Sequence, residues 1–406
     1  MKNFDIYEGN VTSPKGFQAS GVHVGIKKKR KDIALIVSDV LAEAAAVFTT
    51  NKACAAPVKV SQENIKDGKI QGFVINSGNA NACTGDQGMK DASQMVDTTA
   101  EALGIAKENI IVASTGIIGV VMPMNLIVKG IKMAATALNY DGGLDAGEGI
   151  MTTDTTVKQL AVSLKIDDQI ITIGGIAKGS GMIHPNMATM LSFVTTDAKV
   201  EGAFLQKLLK EVVDDTYNMI TVDGDTSTND MVAVMANGLA ENNEINENHP
   251  EVEKFIEAFK YLNEYLAKSI VADGEGATKF IEVEVVNSQT KDDAKLAVKS
   301  VLSSSLVKTA FFGEDGNWGR IVCSVGYSGA NLEMEKVDVF LSSPEIQYQI
   351  VENGQGTNVE GELLAKFLKR KEVKVLIDLK IGTEKAKGWG CDLSYEYVKI
   401  NGAYRT

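Results

Sequence analysis

The segment from Lys178 to Leu191, KGSGMIHPNMATML, places a single hydroxyl inside an apolar run. The upstream glycines permit tight or positive-φ geometry, Pro185 favours a turn, and the small Ala188 leaves space at the peptide bond before Thr189. Such a bond can be attacked by the hydroxyl downstream of it, after which water releases a new N-terminus. The resulting N-terminal threonine carries an amine that can activate its own hydroxyl as a nucleophile.

The same threonine also fits a structural role. In MATMLSFV its β-branched side chain suits an ordinary strand, where it would pack against its neighbours. On the residues alone, Thr189 is therefore either a nucleophile or a packing residue, and spacing does not decide between the two.

Other kinds of catalytic site find little support. The glycines of GGIAKGSG do not precede Lys178 in the order GxxxxGK that a Walker phosphate loop requires. The three histidines are too widely spaced for a metal pair such as HExxH, and no GxSxG elbow predicts a serine hydrolase. The four cysteines form no CxxC pair, so neither a zinc site nor a disulfide framework is predicted. We therefore expect no metal and no bound cofactor.

Three further motifs combine polar residues with glycines or with the end of a strand pattern. VASTGIIG places Thr115 and Gly116 where a turn can aim backbone amides at one point, as an oxyanion hole requires. DGEGATK places Glu275 between glycines that permit close approach of another group. A strand terminus and a solvated turn remain open as alternatives for these two. DGDTSTND, residues 223–230, lacks the terminal glutamate of a calcium loop, so a hydrogen-bonded turn is predicted there.

Charge and hydropathy exclude two classes of partner. The 406-residue chain carries 41 basic and 53 acidic residues, a formal charge of −12. Basic residues occur in short runs such as Lys27 to Lys31, but no basic domain stands out, so no nucleic-acid partner is expected. No stretch approaches the roughly 18 uninterrupted apolar residues of a membrane helix, and the N-terminus lacks the apolar core of a secretory signal. We expect a soluble, cytoplasmic protein.

The elements that must position these residues form a mixed α/β pattern. The predicted strands are KDIALIVSD, IQGFVINSG, NIIVASTGIIG, FIEVEVV, VKVLIDLK and LSYEYVKI. Helices are predicted between Asp91 and Leu103, after Asp197, and from Val252 to Leu266, where apolar residues fall on one face. We expect considerable antiparallel sheet with flanking helices.

Taken together, the longer motifs resemble one enzyme family over essentially the whole chain. INSGNANACTG, ASTGIIG, MTTDT, KGSGMIHPNMATML, DGDTSTND, DGEGATK and SLVKTAFFGEDGNWGRI are similar to those of the ornithine acetyltransferases, also called glutamate N-acetyltransferases. The resemblance implies an α/β sandwich related to self-processing, N-terminal-nucleophile aminopeptidases of the DmpA type. It also implies cleavage between Ala188 and Thr189, into an α chain of 1–188 and a β chain of 189–406 that stay together.

The resemblance assigns roles by position. Thr189 matches the family's nucleophile, and Thr115 and Gly116 match its oxyanion-stabilising pair. The positions that match the family's substrate-binding residues are Thr152, Lys178, Thr189, Glu275, Asn401 and Thr406.

The implied reaction moves an acetyl group from N2-acetyl-L-ornithine to L-glutamate through an acetyl-threonine, in a ping-pong cycle of arginine biosynthesis. Acetyl-CoA could be a second acetyl donor, as a substrate rather than a bound cofactor, and no motif decides this. The resemblance also implies that the cleaved α and β chains assemble as α2β2 or larger. The alternatives are an amidase or aminopeptidase that uses water as acceptor, and a non-catalytic binding protein in which Thr189 packs in a strand.

Overall fold

Two β-sheets form the framework of the molecule. The structure is a computed structural model that describes residues 3–184 and 190–403. Within those ranges one sheet has nine strands and the other has seven. Each sheet mixes parallel with antiparallel pairs. This confirms the prediction of a mixed α/β sandwich with antiparallel sheet and flanking helices.

The strands and helices are numbered in chain order. The strands are β1 Asp5–Tyr7, β2 Phe17–Val22, β3 Ile33–Phe48, β4 Lys69–Asn79, β5 Ile110–Ile117, β6 Lys158–Ile166, β7 Gln169–Lys178, β8 Leu191–Thr196, β9 Ile220–Thr221, β10 Met231–Ala236, β11 Phe280–Ser288, β12 Asp338–Ser342, β13 Gln347–Glu352, β14 Gln355–Gly356, β15 Glu372–Asp378 and β16 Glu384–Cys391. The helices are α1 Ala56–Asn64, α2 Gly85–Leu103, α3 Met124–Thr136, α4 Gly143–Ile150, α5 Gly202–Asp215, α6 Val252–Ala272, α7 Lys291–Ser303, α8 Ser305–Phe312, α9 Trp318–Gly326, α10 Gly361–Leu368 and α11 Tyr395–Ala403.

Sheet I interleaves strands from both halves of the sequence. Its order is β1-β6-β7-β8-β10-β3-β4-β5, with β2 added beside β3. Strand β8 lies between β7 and β10, and its first residue Leu191 is opposite Lys178 on one side and Met231 on the other. Sheet II has the order β14-β13-β12-β15-β11-β16-β9. The strands that precede and follow residues 185–189, β7 and β8, are therefore neighbours in one hydrogen-bonded sheet.

Helix α6 lies between the two sheets, where it contacts β6 and β7 of sheet I and β16 of sheet II. Its inward face is fully buried through Phe255, Phe259, Leu262, Leu266 and Ile270. Each such side chain contributes about 1.5–3 kcal/mol by leaving water. Helix α4 packs against Ala34 and Ile36 on one face of β3, and α3 packs against Ile33 and Leu35 on the opposite face. None of the helices in the described ranges is long and apolar enough to cross a membrane.

Most of the predicted elements are present. The predicted helix at Val252–Leu266 extends to Ala272 as α6, the one after Asp197 is α5, and the one from Asp91 begins six residues earlier as α2. The first five predicted strands correspond to β3, β4, β5, β11 and β15.

The predicted strand LSYEYVKI is wrong, because the segment forms helix α11. Ser394 Oγ accepts hydrogen bonds from the backbone N–H groups of Glu396 and Tyr397, at 3.2 and 3.4 Å. This is a side-chain cap that starts a helix. The apolar residues Tyr395 and Val398 are exposed at 84% and 66%, so the alternation does not reflect a buried strand face.

Candidate active site

A cavity of about 160 Å³ lies where β5 and β7 end and β8 begins. Met190 and Leu191, at the start of β8, form part of its wall. Two further wall residues, Ser227 and Asp230, precede β10. Six residues with a predicted oxyanion or substrate-binding role line it: Thr115, Gly116, Thr152, Lys178, Glu275 and Asn401. The other predicted site residues, Ala188, Thr189 and Thr406, lie outside the described residues.

Thr115 and Gly116 end strand β5 at the cavity. The parallel pairing of β5 with β4 becomes irregular here, since Asn79 is opposite both Thr115 and Ile117. Gly116 has a φ of +135°, and a Cβ at this position would lie 2.6 Å from the Asn79 backbone nitrogen. Only glycine fits such a close approach in the left-handed region. The segment is therefore both a strand end, one of the open alternatives, and part of the cavity wall.

Lys178 brings a positive charge to this turn. It is the last residue of β7, it is 7% exposed, and its Nζ donates to Thr115 Oγ1 at 3.4 Å. Burial lowers the pKa of the Lys178 ammonium, and the negative charge of Asp154 opposes this shift. The cavity thus has a cation next to the hydroxyl of the predicted oxyanion pair.

A buried carboxylate holds the wall behind this lysine. Asp154 is fully buried and accepts hydrogen bonds from the backbone N–H of Thr152 at 2.9 Å and of Gly179 at 2.7 Å. Lys158 Nζ donates to Asp154 Oδ1 at 2.7 Å and to Asp273 Oδ2 at 2.6 Å. These contacts fix Thr152 and also Gly179, which directly follows Lys178. No motif in the sequence predicted this cluster.

The charge state of Asp154 follows from its neighbours. Burial alone would raise its pKa, but the positive charges of Lys178 and Lys158 and the hydrogen bonds hold the pKa of the Asp154 carboxyl well below its usual range. Because the carboxylate is ionised and buried, it needs the cations that surround it. The cluster therefore stabilises the positive charge of Lys178 within the protein interior.

Glu275 reaches the cavity from the loop after α6. A Cβ at Gly181 would lie 2.6 Å from Glu275 Oε1, so this carboxylate rests directly on a glycine. Asn401 Nδ2 donates to Glu275 Oε2 at 2.7 Å. Gly276 has a φ of +69°, and a Cβ there would lie 2.5 Å from the Tyr397 backbone nitrogen. The glycines of DGEGATK thus permit the close approach predicted for them, and Gly181 shows the tight geometry predicted for the glycines of KGSGM.

Asp230, the last residue of DGDTSTND, lines the cavity, a role that the motif did not predict. It is 2% exposed, and its Oδ2 has no hydrogen-bond partner among the described residues. Burial raises the pKa of the Asp230 carboxyl well above its usual value, although Ser227 and the charge of Lys178 oppose this. A carboxyl group that keeps its proton can donate a hydrogen bond to a ligand.

The motif DGDTSTND forms more than the local turn that was predicted. Asp223 Oδ1 accepts from the backbone N–H of Asp225 at 3.3 Å, which is a turn contact. Asp223 also accepts from the backbone N–H groups of Met182 at 2.6 Å and Ile183 at 2.8 Å. The motif therefore anchors the chain just before the 185–189 segment. No group of three histidines, cysteines or carboxylates within residues 3–184 and 190–403 is arranged to hold a metal ion.

Comparisons with known proteins place this chain in a family. The Arginine biosynthesis bifunctional protein ArgJ of Caldanaerobacter subterraneus subsp. tengcongensis is 54% identical over 402 residues, 99% of this chain and 100% of that protein. The protein of the same name from Listeria monocytogenes serovar 1/2a is 50% identical over 403 residues, with the same coverage. A solved structure of Mycobacterium tuberculosis ornithine acetyltransferase complexed with ornithine is 36% identical, with a TM-score of 0.43, and covers 46% of this chain and 100% of that one. A family model described as the ArgJ family matches residues 18–406, and the chain belongs to that family.

Proposed function

We propose that the chain transfers an acetyl group from N2-acetyl-L-ornithine to L-glutamate through an acetyl ester on Thr189. Membership of the ArgJ family makes it an acyltransferase of arginine biosynthesis. One observation carries the detailed proposal: residues expected to bind oxyanion and substrate come from five separate segments and line one cavity. Met190, which directly follows Thr189 in the sequence, lines the same cavity.

The reaction would proceed in two half-reactions. Thr189 Oγ attacks the acetyl carbonyl carbon of acetylornithine, and the free α-amine of Thr189 takes the hydroxyl proton. The amide C–N bond breaks, the proton passes to the departing ornithine nitrogen, and the acetyl group remains on Oγ as an ester. The amine of glutamate then attacks this ester, the C–O bond breaks, and the hydroxyl regains a proton.

The turn at Thr115 and Gly116 suits the oxyanion that forms in both half-reactions. It ends in the cavity, and the buried Lys178 Nζ lies 3.4 Å from the Thr115 hydroxyl oxygen. Donors that are held in place before the reaction need no rearrangement when charge develops on the carbonyl oxygen. Loss of one such donor typically costs about 3 kcal/mol, or a few hundredfold in rate.

Two charges of opposite sign suit the two substrates, which share an amino-acid core but differ in side-chain charge. Glu275 is the proposed partner for the side-chain ammonium of acetylornithine. Lys178 is the proposed partner for a substrate carboxylate. Asn401, which also lines the cavity, donates a hydrogen bond to the Glu275 carboxylate at 2.7 Å. The buried walls would keep water from the acetyl ester, which would otherwise hydrolyse.

We also propose that the chain cleaves itself between Ala188 and Thr189, giving segments of 1–188 and 189–406. The sheet supports the idea that the two products stay together. Strand β8 pairs along its whole length with β7 on one side, and β10 pairs with β3 over six residues. These hydrogen bonds do not depend on the covalent link. Association of two such pairs into an α2β2 assembly would be measured by analytical ultracentrifugation.

The test measures the products of N-acetylornithine in the presence and absence of glutamate. The proposal predicts N-acetylglutamate and ornithine in equal amounts with glutamate, and little free acetate without it. Thr189→Ala is expected to abolish transfer, while Thr189→Ser should retain part of it. Release of acetate at the same rate whether or not glutamate is present would identify an amidase instead.

A further inference from the structure

One stretch of chain, residues 221–231, contacts the residues on both sides of the 185–189 segment and is here called the clamp. It runs from the end of β9 to the start of β10 and contains the motif DGDTSTND. The proposed acetyl transfer gives no role to these contacts. They lie close in sequence to the bond between Ala188 and Thr189, which the chain is proposed to cleave.

Upstream of the 185–189 segment, the clamp binds the backbone of consecutive residues. Asp223 accepts hydrogen bonds from the backbone N–H groups of Met182 and Ile183, at 2.6 and 2.8 Å. The Ile183 carbonyl oxygen accepts from the backbone N–H of Val222 at 2.7 Å and from Thr221 Oγ1 at 3.0 Å. Both backbone polar groups of Ile183 are therefore satisfied by the clamp.

His184, the last described residue before the segment, is held in the same way. Its carbonyl oxygen accepts from Thr226 Oγ1 at 2.9 Å. Its ring Nδ1 lies 3.1 Å from Thr221 Oγ1. Main chain and side chain of His184 are thus both attached to the clamp.

Downstream of the segment, the clamp holds the other end. The backbone N–H of Met231, the last residue of the clamp, donates to the Met190 carbonyl oxygen at 3.0 Å. From Leu191 onward, β8 pairs in parallel with β10, which begins at Met231. The residues on both sides of the 185–189 segment are therefore attached to one continuous stretch of chain.

The upstream side also contains a backbone conformation that needs support. Met182 has a φ of +55°, in the left-handed region that is unfavourable for a residue with a side chain. Its side chain is 41% exposed, so packing contributes little to holding this turn. The hydrogen bond from its N–H to Asp223 contributes more, because the acceptor is a carboxylate. Weakening Asp223 should therefore let the chain before the 185–189 segment relax.

The C-terminal helix α11 reaches the clamp through Tyr397. Its hydroxyl donates to Asp223 Oδ2 at 3.1 Å, and the same oxygen accepts the Met182 N–H. Burial and the negative charge of Asp223 raise the pKa of the Tyr397 hydroxyl, so the group keeps its proton and remains a donor. The helix that brings Asn401 to the cavity thus also supports the carboxylate that holds Met182.

We propose that the clamp positions the chain for self-cleavage between Ala188 and Thr189, and that the hydrogen bond from Tyr397 to Asp223 makes this cleavage faster once helix α11 has docked. This inference rests on the proposed function, which supplies the cleavage itself. Asp223 and Tyr397 are positioning residues, since they act through the backbone of Met182. The nucleophile is then released mainly in chains whose C-terminal cavity wall is already in place.

Self-cleavage depends strongly on position because the uncut chain lacks the base of the cleaved one. Before cleavage the Thr189 nitrogen is part of an amide and cannot take the hydroxyl proton. Thr189 Oγ attacks the Ala188 carbonyl carbon, the C–N bond breaks, and the proton ends on the freed amine. Water then hydrolyses the ester to the Ala188 carboxylate, a proton and the Thr189 hydroxyl. Correct orientation accelerates such an intramolecular attack, so a loosely held chain should cleave slowly.

The experiment follows cleavage of the full chain after cell-free synthesis from purified components. A short pulse of labelled methionine is chased, and denaturing electrophoresis measures how fast the 406-residue chain disappears. Tyr397→Phe removes only the hydroxyl, and Asp223→Asn removes the charge of its acceptor. Tyr395→Phe is the matched control, because it removes a hydroxyl from the same helix at a side chain that is 84% exposed. The kcat with N-acetylornithine and glutamate is then measured on each fully cleaved protein.

We expect the half-time of cleavage to lengthen about fivefold or more for Tyr397→Phe, to lengthen further for Asp223→Asn, and to stay within about twofold of wild type for Tyr395→Phe. Once cleaved, the Tyr397→Phe protein should have a kcat within about twofold of wild type, whereas a merely structural role would lower kcat as well.

The inference is overturned if Tyr397→Phe cleaves at the wild-type rate, if the control slows equally, or if kcat falls as much as the rate of cleavage. A wild-type chain that never cleaves would instead reject the proposed self-cleavage, and this inference with it.

Discussion

Asn401 Nδ2 donates a hydrogen bond to Glu275 Oε2 at 2.7 Å, joining the C-terminal helix to the loop after α6. The same helix contacts Gly276, whose missing Cβ makes room for the Tyr397 backbone nitrogen. The C-terminal helix is therefore a wall of the cavity rather than a free end. It reaches the site from 126 residues away in sequence.

Substitution of Glu275 by glutamine should weaken binding of the cationic donor. Glu275→Gln keeps an oxygen for Asn401 but removes the negative charge proposed to face the ornithine ammonium. We expect the KM for N-acetylornithine to rise about tenfold or more, since charge-assisted hydrogen bonds are worth about 1.5–3 kcal/mol. The KM for glutamate should change little. The control is Glu396→Gln, at an exposed position of helix α11. An equal rise in KM for that variant would contradict the assignment of Glu275.

Gly116→Ala should damage the oxyanion turn. Its φ is +135° and its Cβ would overlap the neighbouring strand at Gly78 and Asn79. We expect kcat to fall at least a hundredfold, as for the loss of an oxyanion donor. Gly119→Ala is the matched control, because Gly119 also has a positive φ of +82° but has open space around it. Steady-state kinetics that give equal losses for the two variants would count against a special role for Gly116.

Lys158→Met should strongly destabilise the protein. It leaves the buried carboxylate of Asp154 and the partly buried carboxylate of Asp273 without their shared cation. Removing one partner of a buried pair typically lowers the free energy of unfolding by about 3–5 kcal/mol. Lys207→Met removes an exposed pair with Glu247 and should cost less than about 1 kcal/mol. Urea denaturation measures both, and similar losses would show that the buried cluster has no special weight.

Asp230→Asn should change how stability depends on pH. Burial raises the pKa of Asp230 in the folded state, whereas the pKa of an aspartate in the unfolded chain is about 3.9. Between these two values only the unfolded state has lost its proton, so wild-type stability falls as pH rises, by up to about 1.4 kcal/mol per pH unit. The variant lacks this loss. Its stability relative to wild type should therefore increase from about pH 4 upward, and a constant difference across that range would contradict the assignment.

The sequence predicted elements best where one face is clearly apolar. Helix α6 was predicted because its apolar residues recur at helical spacing. In the structure these residues pack between the sheets. Strand β11 was predicted because Ile281, Val283 and Val285 alternate with polar residues. In the structure all three are buried. The strand predicted after Ser394 was wrong. Tyr395 and Val398 suggested a strand pattern, but both are exposed, so the pattern does not mark a buried face.

The sequence predicted some residues of the site and missed others, and the difference has a physical reason. Resemblance identified six residues that the fold gathers into one cavity, and the close approach predicted at the glycines beside Glu275 is found at Gly276. Asp230 and the Asp154–Lys158 pair were missed. Their significance comes from burial and from partners far away in sequence, such as Lys158 and Asp273, which are 115 residues apart. A local sequence pattern reveals neither the burial of a side chain nor its partners far away in sequence.

The most direct test of the central claim is intact-mass measurement of protein quenched after it is mixed with excess N-acetylornithine in the absence of glutamate. The account predicts two fragments, 1–188 and 189–406, with one acetyl group on the second fragment, located at Thr189 by peptide mapping. Added glutamate should remove that acetyl group. An uncut, unmodified chain in a sample that still transfers acetyl groups to glutamate would contradict the account.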